Sequence, residues 1–259
     1  MTDKMLAKVE NSIGWLTINN PERRNAVSIE MALLGLNIIT EFSADSAVRA
    51  IVIVGAGDKA WMAGADLEDF GTKSGQVAEQ PKRSGLAFYD AVYGCKKPVV
   101  AAIQGFCLGG GVALACACDL RLAATNAVFG IPAGRLGVGY PANFTRWIVD
   151  TVGCPNTKEI LFTARRYTAD EALHIGLVIR VVAPSDLDAF TRDYVASIVE
   201  SAPLSLLASK LITREVAAHP AGWDEALCNS ITEACRNSGD FAEGRRAFAE
   251  KRKPIFRGK

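Results

Sequence analysis

The sequence predicts an α/β fold in which a strand-rich front half gives way to an almost wholly helical tail. Short runs of β-branched and apolar residues, closed by glycine, asparagine or proline, recur between residues 13 and 123. From about Pro141 onward the apolar residues return at helical spacing instead. Apolar residues make up 49% and charged residues 22% of the 259, a composition that supports a sizeable core and excludes a disordered chain. Both one large unit and a main domain with an appendage fit that length, and one compact unit is the expectation.

Residues 13–19 read as a strand entered by Gly14 and closed by Asn19, Asn20 and Pro21. Ser28 caps a helix whose Met31, Leu34, Ile38 and Phe42 recur at helical spacing, with Glu30 in its first turn. Residues 50–54 form a continuous apolar strand ended by Gly55-Ala56-Gly57. The polar, glycine-containing stretch 71–85 reads as a mobile loop, after which helix resumes over 86–93. Pro98 precedes the buried strand VVAAI, which leads through Gly105 into Gly109-Gly110-Gly111 and a helix over 112–118. Residues 120–123 form a further strand. Beyond Pro141 one short strand over 177–182 interrupts helices divided by Pro184, Pro203 and Gly222. There is no repeat of fixed period.

Lysine and arginine number 29 against 28 acidic residues, so a net charge of +1 gives no broad basic field for a nucleic-acid backbone. Any anionic ligand must be met by a local cluster. The 7 cysteines are odd in number and fall mostly in apolar stretches, which points to reduced thiols in a cytosol. Residues 1–10 are charged and no window reaches the roughly 18 apolar residues of a membrane span, so a soluble, cytoplasmic protein with no membrane partner is expected.

Several chemistries find no support. A dinucleotide fingerprint beginning at Gly55 would need its third glycine at Ala60. Cys116 and Cys118 diverge on a predicted helix and lack a second pair at zinc spacing, so no metal is expected. No G-x-S-x-G elbow exists, and His174 and His219 are the only histidines.

Four segments together resemble the crotonase (enoyl-CoA hydratase/isomerase) superfamily: NPERRNAVS at 20–28, GAGDKAWMAGADLED at 55–69, IQGFCLGGGVALACACDLRLA at 103–123 and FGIPAGRLGVGY at 129–140. Weaker similarity runs on through KEILFTARRYTADEALHIGLV and the final KRKPIFRGK, so the likeness spans nearly the whole chain. The resemblance implies a spiral of β-β-α units over 1–200 and a helical trimerisation region over 201–259. It implies an acyl-CoA substrate, with coenzyme A entering as part of that substrate and no permanently bound cofactor. A homotrimer or a dimer of trimers is the expected assembly.

In the resembled family, two backbone N–H groups stabilise the enolate oxygen of a thioester. The matching positions are Ala65, after Gly64, and Gly110 in the triple glycine. Glycines at a helix start suit this, because they let a ligand approach the backbone where unpaired N–H groups favour an anion. Taken alone, a triple glycine is more often a packing device or a flexible turn. Arg24 and Asn25 match the family's CoA-nucleotide site, while Ala63, Asp66 and Leu67 match the strip along adenine and pantetheine. Phe256 and Lys259 match a tail that in the resembled family can close over the nucleotide, that of a neighbouring subunit included. Arg24 in a solvated turn and an exposed basic tail are the plainer readings.

The departures matter more. The positions of both hydratase glutamates are alanine here, Ala113 and Ala133, and neither can exchange a proton. General acid–base catalysis contributes on the order of 100- to 10,000-fold per group, so efficient hydration is not expected. Tyr140 follows an LGV segment as a tyrosine does in decarboxylases of the superfamily, where it holds the departing carboxylate. An ordinary packing tyrosine fits that position equally. The sequence therefore favours a decarboxylase, or another lyase or isomerase, acting on an acyl-CoA. The alternative is an acyl-CoA binder that has lost its chemistry.

Overall fold

The computed structural model describes residues 3–66 and 79–259, the side chains of 79–84 excepted. Strands β1 (Met5–Glu10) and β2 (Ile13–Ile18) form an antiparallel hairpin. Asn11 and Ser12 both have positive φ at its turn, the conformation that matches strand twist in a two-residue loop. Ser28 caps α1 (Ile29–Ala44) by accepting from the Met31 N–H. There follow β3 (Ala50–Gly55), β4 (Ala60–Met62), α2 (Glu79–Gly94), β5 (Val99–Ile103), β6 (Phe106–Leu108), α3 (Gly110–Ala117), β7 (Leu120–Ala124), β8 (Val128–Gly130) and α4 (Ala142–Thr163). The remainder comprises β9 (Tyr167–Thr168), α5 (Ala169–His174), β10 (Arg180–Val182), α6 (Leu187–Val199), α7 (Pro203–Ala218), α8 (Glu225–Arg236) and α9 (Gly239–Ala249).

The strands sort into two sheets, ordered β1-β2-β3-β5-β7-β10 and β4-β6-β8-β9. Pairings from β2 across to β10 are all parallel, and β9 joins the smaller sheet antiparallel to β8. Each pass of the chain places one strand in the larger sheet, the next in the smaller, and then runs into a helix. The triplets β3-β4-α2, β5-β6-α3 and β7-β8-α4 repeat this step.

Strand alternation divides the core. Leu16, Ile51, Ile53, Ala101 and Ile103 face the main core shared with α1 to α4. Ile13, Trp15, Val52, Val100, Ala102 and Leu122 face the opposite side, against Leu187 and Val195 of α6. With both faces covered, β3 and β5 read as unbroken apolar runs. Among the described residues no single helix is long and apolar enough to cross a membrane.

The structure revises several boundaries. The helix expected over 86–93 begins at Glu79, so the part of the predicted loop from 79 to 85 is helical, and residues 71–78 lie outside the described residues. The strand expected over 177–182 is confined to Arg180–Val182, with Leu177 and Val178 buried just before it. Along α1 the buried face is Met31, Ala32, Gly35, Ile39 and Phe42, with Leu34 and Ile38 at its margin. Helix α3 starts at Gly110, two residues earlier than expected.

Candidate functional site

Strand β4 is fixed by Trp61, whose indole N–H donates to the Ile53 carbonyl at 3.0 Å from a side chain 1% exposed. After Met62 the chain bends through Gly64, whose φ of +109° disfavours any L side chain. The Gly64 carbonyl accepts from the Val27 N–H at 2.9 Å, and the Asp66 N–H donates to the Val27 carbonyl at 3.0 Å. Val27 and Ala65 thus form a parallel bridge in which the residues flanking Ala65 aim their polar groups at Val27. By strand alternation the Ala65 N–H and C=O point the other way.

On that other side stands the start of α3. A Cβ placed on Gly64 would lie 3.1 Å from the Leu108 carbonyl oxygen and 3.5 Å from the Gly110 nitrogen. One placed on Gly110 would lie 3.5 Å from the Ala65 nitrogen. The two amides therefore border one narrow gap. Gly109, with φ 54° and ψ −117°, turns the chain into the helix, and its N–H is taken by the Gly130 carbonyl at 2.8 Å. The N–H groups of Val112 and Ala113 fold back onto the Gly109 carbonyl. Gly110 is at the helix terminus, where N–H groups have no intrahelical partner. Among the described residues neither its N–H nor that of Ala65 has a hydrogen-bond acceptor.

Aromatic rings pack around the start of α3. The Tyr140 hydroxyl donates to the Gly109 carbonyl at 2.8 Å, and its ring meets Phe144 edge-on at 5.7 Å. Phe144 in turn packs at 4.6 Å from Tyr89, whose hydroxyl oxygen is 2.8 Å from the Cβ position of Gly110. Burial pushes both tyrosine pKa values upward, so each is a neutral phenol near pH 7. Ala113 is fully buried in α3, its N–H on the same Gly109 carbonyl that Tyr140 meets, and Ala133 is half-buried in the turn Pro132–Arg135; neither side chain carries a titratable group. At the far end of α3, Arg121 donates to the Ala115 and Cys118 carbonyls, placing a cation at the helix C-terminus.

Sequence reasoning overlooked Tyr89. It belongs to a buried stripe with Phe88 and Val92, and nothing in that spacing distinguishes a pocket residue from a core one.

The expected nucleotide residues gather around the same bend. The Arg24 carbonyl accepts from the Ala63 N–H at 3.0 Å, and its guanidinium carbon lies 5.6 Å from the Phe106 ring, beside which Arg166 also stands at 5.3 Å. Asn25 is fully buried in a left-handed conformation, and its side chain is committed to the Asn20 N–H and the carbonyls of Ala56 and Ala60. What Asn25 offers a ligand is therefore backbone alone. The Asp66 carboxylate pairs with Arg23 at 2.6 Å. Leu67 lies outside the described residues. Phe256 and Lys259 are fastened to this chain's own C-terminal helices: Asp240 accepts from the Arg257 and Gly258 N–H groups, and its own N–H donates to the Lys259 carbonyl. Among the described residues no hydrogen bond or ion pair links them to Arg24, Asn25, Ala63 or Asp66.

The sequence model of the enoyl-CoA hydratase/isomerase family matches residues 8–259. A crotonyl-CoA hydratase of Syntrophomonas wolfei is 33% identical over 98% of both chains. A carnitinyl-CoA dehydratase of Salmonella typhi is 31% identical over 94% of both. The crystal structure of an enoyl-CoA hydratase/carnithine racemase from Magnetospirillum magneticum superimposes with a TM-score of 0.92 at 33% identity, covering 100% of this chain and 97% of that one.

Proposed function

The chain belongs to the enoyl-CoA hydratase/isomerase family, and on that premise we propose that it transforms an acyl-CoA thioester by stabilising its enolate between the N–H groups of Ala65 and Gly110. The observation that carries this reading is the gap between two amides without acceptors, one at a helix start and one turned away from its strand partner. A carbonyl oxygen there would receive two hydrogen bonds that strengthen as it becomes an enolate, and each such donor is worth roughly 3 to 4 kcal/mol. Arg24 and the backbone near Asn25 and Ala63 adjoin this bend, in keeping with a nucleotide lying along it.

Within that class we favour a reaction that needs the enolate sink and no carboxylate base. Alanine at 113 and 133 removes the two groups that position and deprotonate water. Decarboxylation of a carboxylated acyl-CoA meets the condition, since loss of carbon dioxide itself generates the enolate. Tyr140 would then border the departing carboxylate. Its proton is committed to the Gly109 carbonyl, so it must rotate away to donate, or act by holding the bend in shape. A panel including crotonyl-CoA and methylmalonyl-CoA, read by mass spectrometry, tests this: product from a carboxylated thioester without hydration of crotonyl-CoA is the expected outcome. Hydration at rates typical of the family would refute it. Tyr140→Phe is expected to slow turnover, and unchanged turnover removes that residue from the site.

Alanine at both 113 and 133 also permits a second reading, an acyl-CoA binder without chemistry. Calorimetric binding of acyl-CoAs with no product from any of them would select it.

A further inference from the structure

The geometry points to the Tyr89 hydroxyl as a third hydrogen-bond donor to the thioester oxygen, beside the Ala65 and Gly110 amides. The inference rests on the acyl-CoA reading above and adds a catalytic residue to it.

Three distances converge on one point. The position a Cβ would take on Gly110 is 2.8 Å from the Tyr89 hydroxyl oxygen and 3.5 Å from the Ala65 nitrogen. It is one bond from the Gly110 Cα. In a helix the Cα–Cβ bond tilts toward the N-terminus, as the N–H does, so this point marks the side on which the Gly110 amide opens. With glycine at 110, the Tyr89 hydroxyl and the Ala65 amide both stand close beside the Gly110 backbone.

The ring that carries the hydroxyl is held in place. Phe88 meets it edge-on at 5.8 Å and Phe144 packs at 4.6 Å, leaving Tyr89 5% exposed. Yet the hydroxyl has no hydrogen-bond partner among the described residues, whereas that of Tyr140 already has the Gly109 carbonyl. Buried hydroxyls are almost always partnered, and one left open beside two amides without acceptors is placed to take its partner from a bound molecule. Phenylalanine would satisfy the packing alone. Desolvation keeps the phenol protonated, so it donates throughout the neutral range. With alanine at 113 and 133, it supplies a side-chain donor where neither carboxyl-bearing position can.

Acetoacetyl-CoA provides the test, because its bound enolate is read directly by near-ultraviolet absorbance without turnover. Wild type is expected to raise the enolate fraction at fixed pH above that in free solution. Tyr89→Phe, which keeps the ring, is expected to lower that fraction about tenfold while leaving CoA affinity and melting temperature near wild type. An unchanged fraction in folded Tyr89→Phe overturns the Tyr89 role and leaves the two-amide reading standing. Failure of wild type to bind acetoacetyl-CoA or to raise its enolate brings down the acyl-CoA reading itself, and the inference with it. Should Tyr89→Phe not fold, 3-fluorotyrosine at 89 keeps ring and hydroxyl and strengthens the donor: a raised enolate fraction supports the proposal, an unchanged one refutes it.

Discussion

Gly111→Ala separates the stability of this chain from the geometry of its site. A Cβ at 111 would lie 2.3 Å from the Met62 carbonyl oxygen, a backbone atom that ends β4 and cannot swing aside. To reach ordinary contact the start of α3 must retreat from β4 by about 1 Å. Crowding of this kind costs about 1 to 3 kcal/mol, and the better helix propensity of alanine returns up to about 1 kcal/mol. The net loss is therefore between about 0 and 3 kcal/mol, which a domain of this size survives. The same 1 Å moves the Gly110 amide relative to Ala65, which stays on the β4 side through its bridge to Val27. Misplacement by about 1 Å costs on the order of 100-fold in rate. Thermal melting together with turnover of the accepted acyl-CoA is the assay, and the expected result is a modest drop in melting temperature with a near-complete loss of turnover. A folded Gly111→Ala protein with wild-type turnover would show that the spacing of the two amides does not govern the chemistry.

Three further perturbations test the frame around the site. Arg121, 8% exposed, donates to the carbonyls of Leu177, Cys118 and Ala115; Arg121→Met takes this donor from the first two and leaves Ala115 only the Cys118 N–H, and is expected to cost about 3 kcal/mol, read as a melting temperature lower by roughly 6 to 12 °C. Asp119 accepts from the Val99 N–H and pairs with Lys210 at 2.7 Å and Arg214 at 3.2 Å, tying the larger sheet to α7. Asp119→Ala strands a lysine whose side chain is only 8% exposed and is expected to destabilise by about 3 kcal/mol in denaturant unfolding, with turnover per folded molecule retained. Burial raises the pKa values of Cys107, Cys118 and Tyr89, so their ordinary unfolded values are reached first as pH rises. The unfolded chain then holds fewer protons than the native one, and above about pH 8 unfolding free energy is expected to fall, by about 1.4 kcal/mol per pH unit for each group titrating; a flat profile from about pH 8 to about pH 11 would contradict that burial.

The parts of the fold legible in the sequence are those whose burial is one-dimensional. Strands β3 and β5 are covered on both faces and announce themselves as apolar runs, and Ser28 announces α1 through a cap that needs no tertiary information. Strands β4, β6 and β8 are three residues each and sit beside glycines that exist for close approach, so no period could form. Strand β1 is an edge whose middle residues are exposed, and its alternation is masked by Lys8 and Glu10. The sorting of strands into two sheets depends on pairings between residues far apart in sequence, such as Ile51 with Val99 and Ala101 with Arg121, which no local pattern contains.

The site divides along the same line, and the division has a chemical consequence. Ala65 and Gly110 could be named from the sequence because their segments match the resembled family's pattern, and the role proposed for them is one of backbone alone. Tyr89 and Tyr140 reach the same gap from α2 and from the segment before α4, so their convergence is a property of packing that the sequence does not spell. A glutamate at 113 would bring charge to a fully buried position of α3, beside the Gly109 carbonyl that Tyr140 meets, and a buried carboxylate needs partners that the neighbouring rings supply poorly. Alanine at 113 and 133, with neutral phenols near the start of α3, is consistent with the proposed enolate chemistry: an interior that avoids ionised groups strengthens every hydrogen bond aimed at an oxygen that would become charged only during that reaction. Restoring a glutamate by Ala113→Glu should therefore destabilise the fold before it confers hydration. A stable, hydrating Ala113→Glu protein would show instead that this pocket retains the solvation of an ordinary hydratase and that the loss of the carboxylate is incidental to its chemistry.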